Sequence, residues 1–210
     1  MNANGRKMLV ACEFSGRVRD AFAAQGWDAW SCDLLPTEQP GQHYQCDVRE
    51  VLGTGWDLMI AHPPCTYLCC AGLHYSKKDA SRMQKTLEAL DFVKYLLHCD
   101  IPHIAVENPI GYISTAYRKP DQIVNPFQFW EAERKATCLW LKGLPPLVPE
   151  TNLEVKPRGS IVRKTGEKAG RVYNYYWRQG KTAHERSRTF LGIARAMAEQ
   201  WTEYILSNEE

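Results

Sequence analysis

The sequence contains no apolar run that approaches the length of a membrane span. Its opening residues, Met1 to Lys7, lack the apolar core of a signal peptide and lead straight into a strand-like run. Together these absences predict a cytoplasmic chain with no membrane partner. Cysteines 12, 32, 46, 65, 69, 70, 99 and 138 would then stay mostly reduced. No internal repeat is present, which excludes a solenoid. Acids are nearly missing from one segment. Between Lys156 and Lys181 the only acid is Glu167, against Lys156, Arg158, Arg163, Lys164, Lys168, Arg171, Arg178 and Lys181. The net charge of +2 hides this concentration, which points to a polyanionic partner. No obligate protein partner is evident.

What is present centres on Asp57-Leu58-Met59-Ile60-Ala61-His62-Pro63-Pro64-Cys65. Leu58 to Ala61 reads as a buried strand. Two prolines stop it, because proline cannot donate to a sheet ladder. A cysteine follows at once. In an open parallel sheet, the carboxyl end of a strand is where ligands bind.

The other elements frame this strand. Lys7–Cys12 is a strand, Glu13 to Gly16 a turn, Arg17–Gln25 a helix ended by Gly26, and Asp28–Asp33 a second strand. This βαβ order predicts a mostly parallel α/β sheet. His43–Asp47 is a weaker strand. Ala80–His98 is helical, with Met83, Leu87, Leu90, Val93, Leu96 and Leu97 on one face and Asp79 as cap. His103–Val106 is a strand that ends in Glu107-Asn108-Pro109. Residues 110–136 read as mostly irregular, Thr137–Lys142 as a strand, 148–183 as aperiodic, and Glu185–Leu206 as a last helix. The predicted division is a catalytic domain over 1–147, a basic and aromatic insertion over 148–184, and a closing helix over 185–210.

Three acids end strands or open turns: Glu13, Asp33 and Asp47. Asp33 lies where an acid binds ribose hydroxyls, and Gly16 where a turn meets a cofactor. A single glycine fails the dinucleotide pattern, so a cofactor without a pyrophosphate fits better. A solvated cap is the competing reading for each acid. Cys65 has three readings: a nucleophile, a zinc-type ligand with His62, Cys69, Cys70 and His74, or an inert thiol. Glu107 ends a second apolar strand, so sheet order could bring it beside Cys65. A carboxyl on an apolar wall has a raised proton affinity and can act as an acid. Asn108 could orient either group.

Phe14-Ser15-Gly16, Pro63-Pro64-Cys65 and Glu107-Asn108, in this order, resemble the DNA cytosine-5 methyltransferases, and among them the small phage and prophage type. The resemblance covers about residues 7 to 143, and the last helix resembles the family's closing motif. It implies a Rossmann-like fold, S-adenosylmethionine as cofactor, and DNA as substrate in a bacterial host cell. Cys65 would add to a flipped cytosine and Glu107 would protonate the ring nitrogen. Phe14, Ser15, Gly16, Asp33, Asp47 and Pro63 would form the cofactor site.

The chain also departs from the family pattern. Arg17 and Val18 stand where a second turn glycine is expected. Arg17, or Arg19 if it faces inward, could place a cation near the donor and select carboxy-S-adenosylmethionine. The chain would then be a carboxymethyltransferase. A solvent-facing helix arginine is the competing reading. Arg134 or Lys135 stands in for a missing glutamine-arginine-arginine element. Lys77, Lys78, Arg163, Lys164, Arg171 and Arg178 are candidate DNA contacts, with Tyr173, Tyr175, Tyr176 and Trp177 available to stack on bases. A non-catalytic DNA-binding module and a zinc-stapled protein are the readings from other classes.

Overall fold

A computed structural model describes residues 3, 5–175 and 182–208. Seven strands form one sheet: β1 (Lys7–Ala11), β2 (Asp28–Asp33), β3 (His43–Gln45), β4 (Leu58–Ala61), β5 (His103–Pro109), β6 (Gln122–Val124) and β7 (Thr137–Lys142). Their order is β3-β2-β1-β4-β5-β7-β6. Only β7 is reversed, pairing antiparallel with both β5 and β6. This is a Rossmann-like fold, with the switch in strand order between β1 and β4.

Side chains alternate along each strand and divide the core in two. Met8, Val10, Ile60 and Ala105 face α1 (Arg17–Ala23) and the last helix. Val18, Phe22, Ile193, Met197 and Trp201 close that layer. Leu9, Ala11, Met59, Ala61 and Val106 face the other side. There, Leu90, Val93 and Leu96 descend from α3 (Ala80–Leu97), which Asp79 caps through the Ser81 and Arg82 amides. The short helices α2 (Cys70–Ser76) and α4 (Ile113–Ala116) flank this layer.

Several elements differ from expectation. The loop after Cys65 contains α2, and the stretch 110–136 contains α4 and β6. Each is too short for a clear period. β5 runs on to Pro109, because the reversed β7 continues to pair with residues 107–109 after β4 has stopped. The last helix is broken into α5 (Ala183–Ser187) and α6 (Leu191–Ser207), with extended backbone at Arg188 and Phe190. Tertiary contacts made by residues 184–189 override the local helix preference here. Residues 148–175 hold a separate hairpin, β8 (Gly159–Val162) and β9 (Val172–Tyr175).

Candidate active site

The site is built by strand register. Ala61 pairs with Val106 in the β4–β5 ladder, so the next step sets His62 beside Glu107. The His62 amide still donates to the Ala11 carbonyl, at 2.9 Å. Pro63 and Pro64 have no amide hydrogen, and the chain leaves the sheet. Cys65 then opens a turn, its carbonyl accepting the amides of Leu68 and Cys69. Its side chain is exposed. Its thiol pKa is raised by loss of hydration and by Cys69 and Glu107, and Lys135 works against that rise.

Glu107 Oε2 lies 3.2 Å from His62 Nδ1. Thr137 Oγ1 donates to Oε1. Burial is the largest influence on this carboxyl and acts to raise its pKa. The His62 hydrogen bond and charge, the Thr137 hydroxyl and Lys135 together outweigh it, and the net direction is downward. The raised proton affinity expected for Glu107 is therefore reversed in the free protein. The wall around it is not apolar, because donors surround the carboxylate. Asn108 is buried and turns the other way, donating from Nδ2 to the Pro63 carbonyl at 2.8 Å. It holds the proline turn rather than the glutamate.

Of the two candidate cations, Lys135 is the one whose charge reaches both Cys65 and Glu107. Its ammonium donates to the Arg186 carbonyl at 2.8 Å and lies over Phe190. Arg134 lies over Phe127. Glu107, Lys135, Thr137, Arg188 and Phe190 surround a cavity of about 20 Å³.

The expected cofactor residues divide between two larger cavities. One, of about 300 Å³, lies at the ends of β1, β2 and β3 and is lined by Cys12, Asp33, Leu34, Asp47, Pro64 and Phe92. Asp33 caps its own turn, accepting the Leu35 amide. Asp47 caps the turn Val48–Glu50 and pairs with Arg49, whose hydrogen bonds push its pKa down to about 2. Pro64 lines this cavity; Pro63 does not. Ser15 and Arg17 instead line a cavity of about 850 Å³ with Glu38 and Arg188. Phe14 stacks on His184, with centroids 4.4 Å apart.

Gly16 adopts φ 73° at the start of α1, and a Cβ there would meet the Arg19 guanidinium at 2.6 Å. That turn requires glycine. Glu13 is buried and accepts from Ser15 Oγ and the amides of Val18 and Arg19. The helix start is thus capped by the chain's own carboxylate. Arg17 is half-buried and donates to the Thr189 carbonyl at 2.8 Å, so the solvent-facing reading does not hold. Arg19 does face inward, but its donors are taken up by protein acceptors. It has none to offer a cofactor carboxylate.

Lys77 and Lys78 are exposed beyond α2, and Arg163, Lys164 and Arg171 are exposed in the connection between β8 and β9. Arg178, with Tyr176, Trp177 and Lys181, lies outside the described residues. Among the described residues, no three His, Cys, Asp or Glu side chains form a metal-ligand set. His62 is turned to Glu107 rather than toward Cys69 and Cys70. No described helix is long and apolar enough to cross a membrane. Thr137, Glu38 and Arg188 were not singled out by sequence reasoning, and His62 was named only as a zinc-type donor. For His62, the signal was its place before the prolines, one step beyond a paired strand.

No protein-family model matches the sequence, and no curated protein matches it. A solved structure described as a proposed DNA modification methyltransferase encoded within a prophage (E. coli) is similar to this chain, with TM-score 0.47 and 13% identity. The match covers 75% of this chain and 56% of that one, so the chain spans little more than half the length of that structure.

Proposed function

We propose that this chain is a DNA cytosine-5 methyltransferase. The observation that carries the reading is the meeting of Cys65 and Glu107 at the carboxyl ends of two neighbouring parallel strands. Asn108 ties the two strand ends together through the Pro63 carbonyl. Beside them, carboxylates and apolar groups line one cavity, which suits a nucleoside with hydroxyls on one side and a flat base on the other. Asp33 would hold ribose hydroxyls, and Asp47, kept ionised by Arg49, would accept from the adenine amino group. When bound there, S-adenosylmethionine supplies an electrophilic methyl group.

The residues of the chain divide the remaining work. Cys65 thiolate adds to carbon 6 of a flipped cytosine, forming an S–C bond. Glu107 delivers a proton to the ring nitrogen and offsets the charge that develops there. Lys135 stabilises the thiolate and would contact the base carbonyl. After carbon 5 is alkylated and loses its proton, the S–C bond breaks and the ring nitrogen returns its proton.

A second reading has a specific observation behind it. Arg17 is half-buried, anchored on Thr189, and lines the larger cavity beside Ser15. A guanidinium in that place would pair with the extra carboxylate of a donor such as carboxy-S-adenosylmethionine, provided the donor extends from the cavity at the ends of β1, β2 and β3 into this one.

Mass spectrometry of nucleosides from DNA of cells expressing the protein tests both readings, in a host that makes both donors. 5-Methylcytosine that disappears with Cys65→Ala is the expected result. A heavier, carboxyl-bearing cytosine that disappears with the same change selects the second reading. Unmodified DNA from folded protein overturns both and leaves a non-catalytic DNA binder.

A further inference from the structure

The sequence departs from ordinary strand-end chemistry at His62, and the proposed reaction above assigns that residue no role. Its ring lies one register step beyond the β4–β5 ladder, on the same face as Glu107. The His62 side chain is only 10% exposed. Nδ1 is 3.2 Å from Glu107 Oε2, whereas Nε2 is buried with no hydrogen-bond partner among the described residues. Burying an imidazole nitrogen without a partner costs free energy. A ring placed here only to fill space would be better replaced by an apolar residue.

The proposed reaction also has an unmet need. Glu107 must give up a proton, yet its surroundings favour the carboxylate. Thr137 and Lys135, from the β7 side, present a donor and positive charge toward it, whereas Arg188 lines the same small cavity with its guanidinium held by Glu38. Cys65 and Cys138 are the other titratable groups within its reach. His62 is the one neighbour that both contacts the carboxyl and can itself carry a proton near neutral pH.

We propose that His62 is the positioning residue of Glu107, and that the His62–Glu107 pair together holds the proton delivered to the target base. The inference rests on the reading of the site as a cytosine methyltransferase. The proton comes from solvent and is shared across the Nδ1–Oε2 contact. It passes to the ring nitrogen as the Cys65 S–C bond forms, and it returns to Glu107 when that bond breaks. Titration belongs to the pair rather than to either residue alone.

The test is the pH dependence of kcat for wild type and His62→Gln, with DNA and donor saturating. Glutamine can still hold the carboxyl but cannot store a proton. The alkaline limb of the profile is expected to move down by about one to two pH units, the interval between a histidine-based and a carboxyl-based acid. Below about pH 5 the variant should keep most of its kcat, and near pH 8 it should lose about tenfold or more, with KM for DNA within about twofold. An equal loss at every pH, or no loss, overturns the proposal. If wild type modifies no cytosine, the methyltransferase reading falls, and the pairing is read without activity. Nitrogen NMR of the His62 ring, in wild type and Glu107→Gln, then gives the answer. A lower titration midpoint in the variant supports the pair; an unchanged one overturns it.

Discussion

Arg19 carries five N–H donors, and each has an acceptor inside the fold. Nε donates to Asp20 at 2.8 Å, Nη1 to Ser31 and Thr37 at 3.2 Å, and Nη2 to the Gln39 and Pro40 carbonyls at 3.1 Å. The side chain is fully buried. It fastens α1 to the loop between β2 and β3, whose acidic end borders the cavity proposed for the cofactor. Removing it leaves a set of partners without their cation. Arg19→Met should destabilise the protein by about 3–5 kcal/mol, lowering Tm by about 10 °C in a scanning calorimeter. A shift under about 3 °C would remove Arg19 from this role. Arg19→Lys should recover only part, since an ammonium cannot fork to acceptors on both sides. The sequence could not disclose this. Arg19 reads as an ordinary helix cation, and its acceptors come from an irregular loop with no period. The approach of Cys65 and Glu107 was legible, because two apolar strands each end in polar residues next to proline and a parallel sheet sets such ends side by side. The ionisation of Glu107 was not, since the His62 contact depends on register.

At the scale of elements, the segment from Thr182 to Phe190 acts as a strap across the site. Arg188 grips Glu38 with two nitrogens, at 2.8 and 2.6 Å, and His184 Nε2 lies 2.7 Å from the same carboxylate. Arg17 holds the Thr189 carbonyl and Lys135 the Arg186 carbonyl. These grips explain why the helix predicted from Glu185 is broken: the amphipathic pattern continues across the break, and only tertiary contacts interrupt it. The strap leaves about 20 Å³ beside Glu107, room for about one water, so the base of the proposed reaction would enter only if the strap shifts. Glu38→Gln should loosen it, raising amide hydrogen exchange over residues 184–190 by about tenfold while α3 exchange stays unchanged. Unchanged strap exchange would mean the other grips suffice. The pH dependence follows the same carboxylate. The Glu38 pKa lies below its ordinary value of 4.5, chiefly through the Arg188 hydrogen bond, so its grip is complete above that value. It is lost as pH falls through the lower folded value, where Arg188 remains charged. Strap protection should therefore fall in acid, below the ordinary carboxyl value of 4.5, in wild type and show no such step in Glu38→Gln.

Across the whole molecule, charge and core are segregated. The seven-stranded sheet and its helices hold the buried residues, while the β8–β9 hairpin pairs only with itself and is exposed along nearly its whole length. That exposure is why residues 148–183 show no period: a hairpin with no buried face leaves no alternation to read. Its charge was legible all the same. Arg163, Lys164, Lys168 and Arg171 lie in and beside the turn, with Glu167 as the single acid among them. A hairpin of this kind adds little to folding, since two strands alone are marginal in water. Its cations can be removed without disturbing the sheet. If the proposed substrate is duplex DNA, each cation that neutralises a phosphate contributes about 0.9 to the slope of log affinity against log salt. The triple change Arg163→Ala, Lys164→Ala, Arg171→Ala should reduce that slope by about 2 to 3, measured by fluorescence anisotropy with a duplex oligonucleotide between about 50 and 200 mM salt. Tm should move by less than about 2 °C, because surface changes away from a core cost little. An unchanged slope with unchanged Tm would place the DNA contacts elsewhere, with Lys77 and Lys78 beyond α2 the next cations to change. A reduced slope would make the hairpin the arm that holds the duplex while the sheet end works on the base.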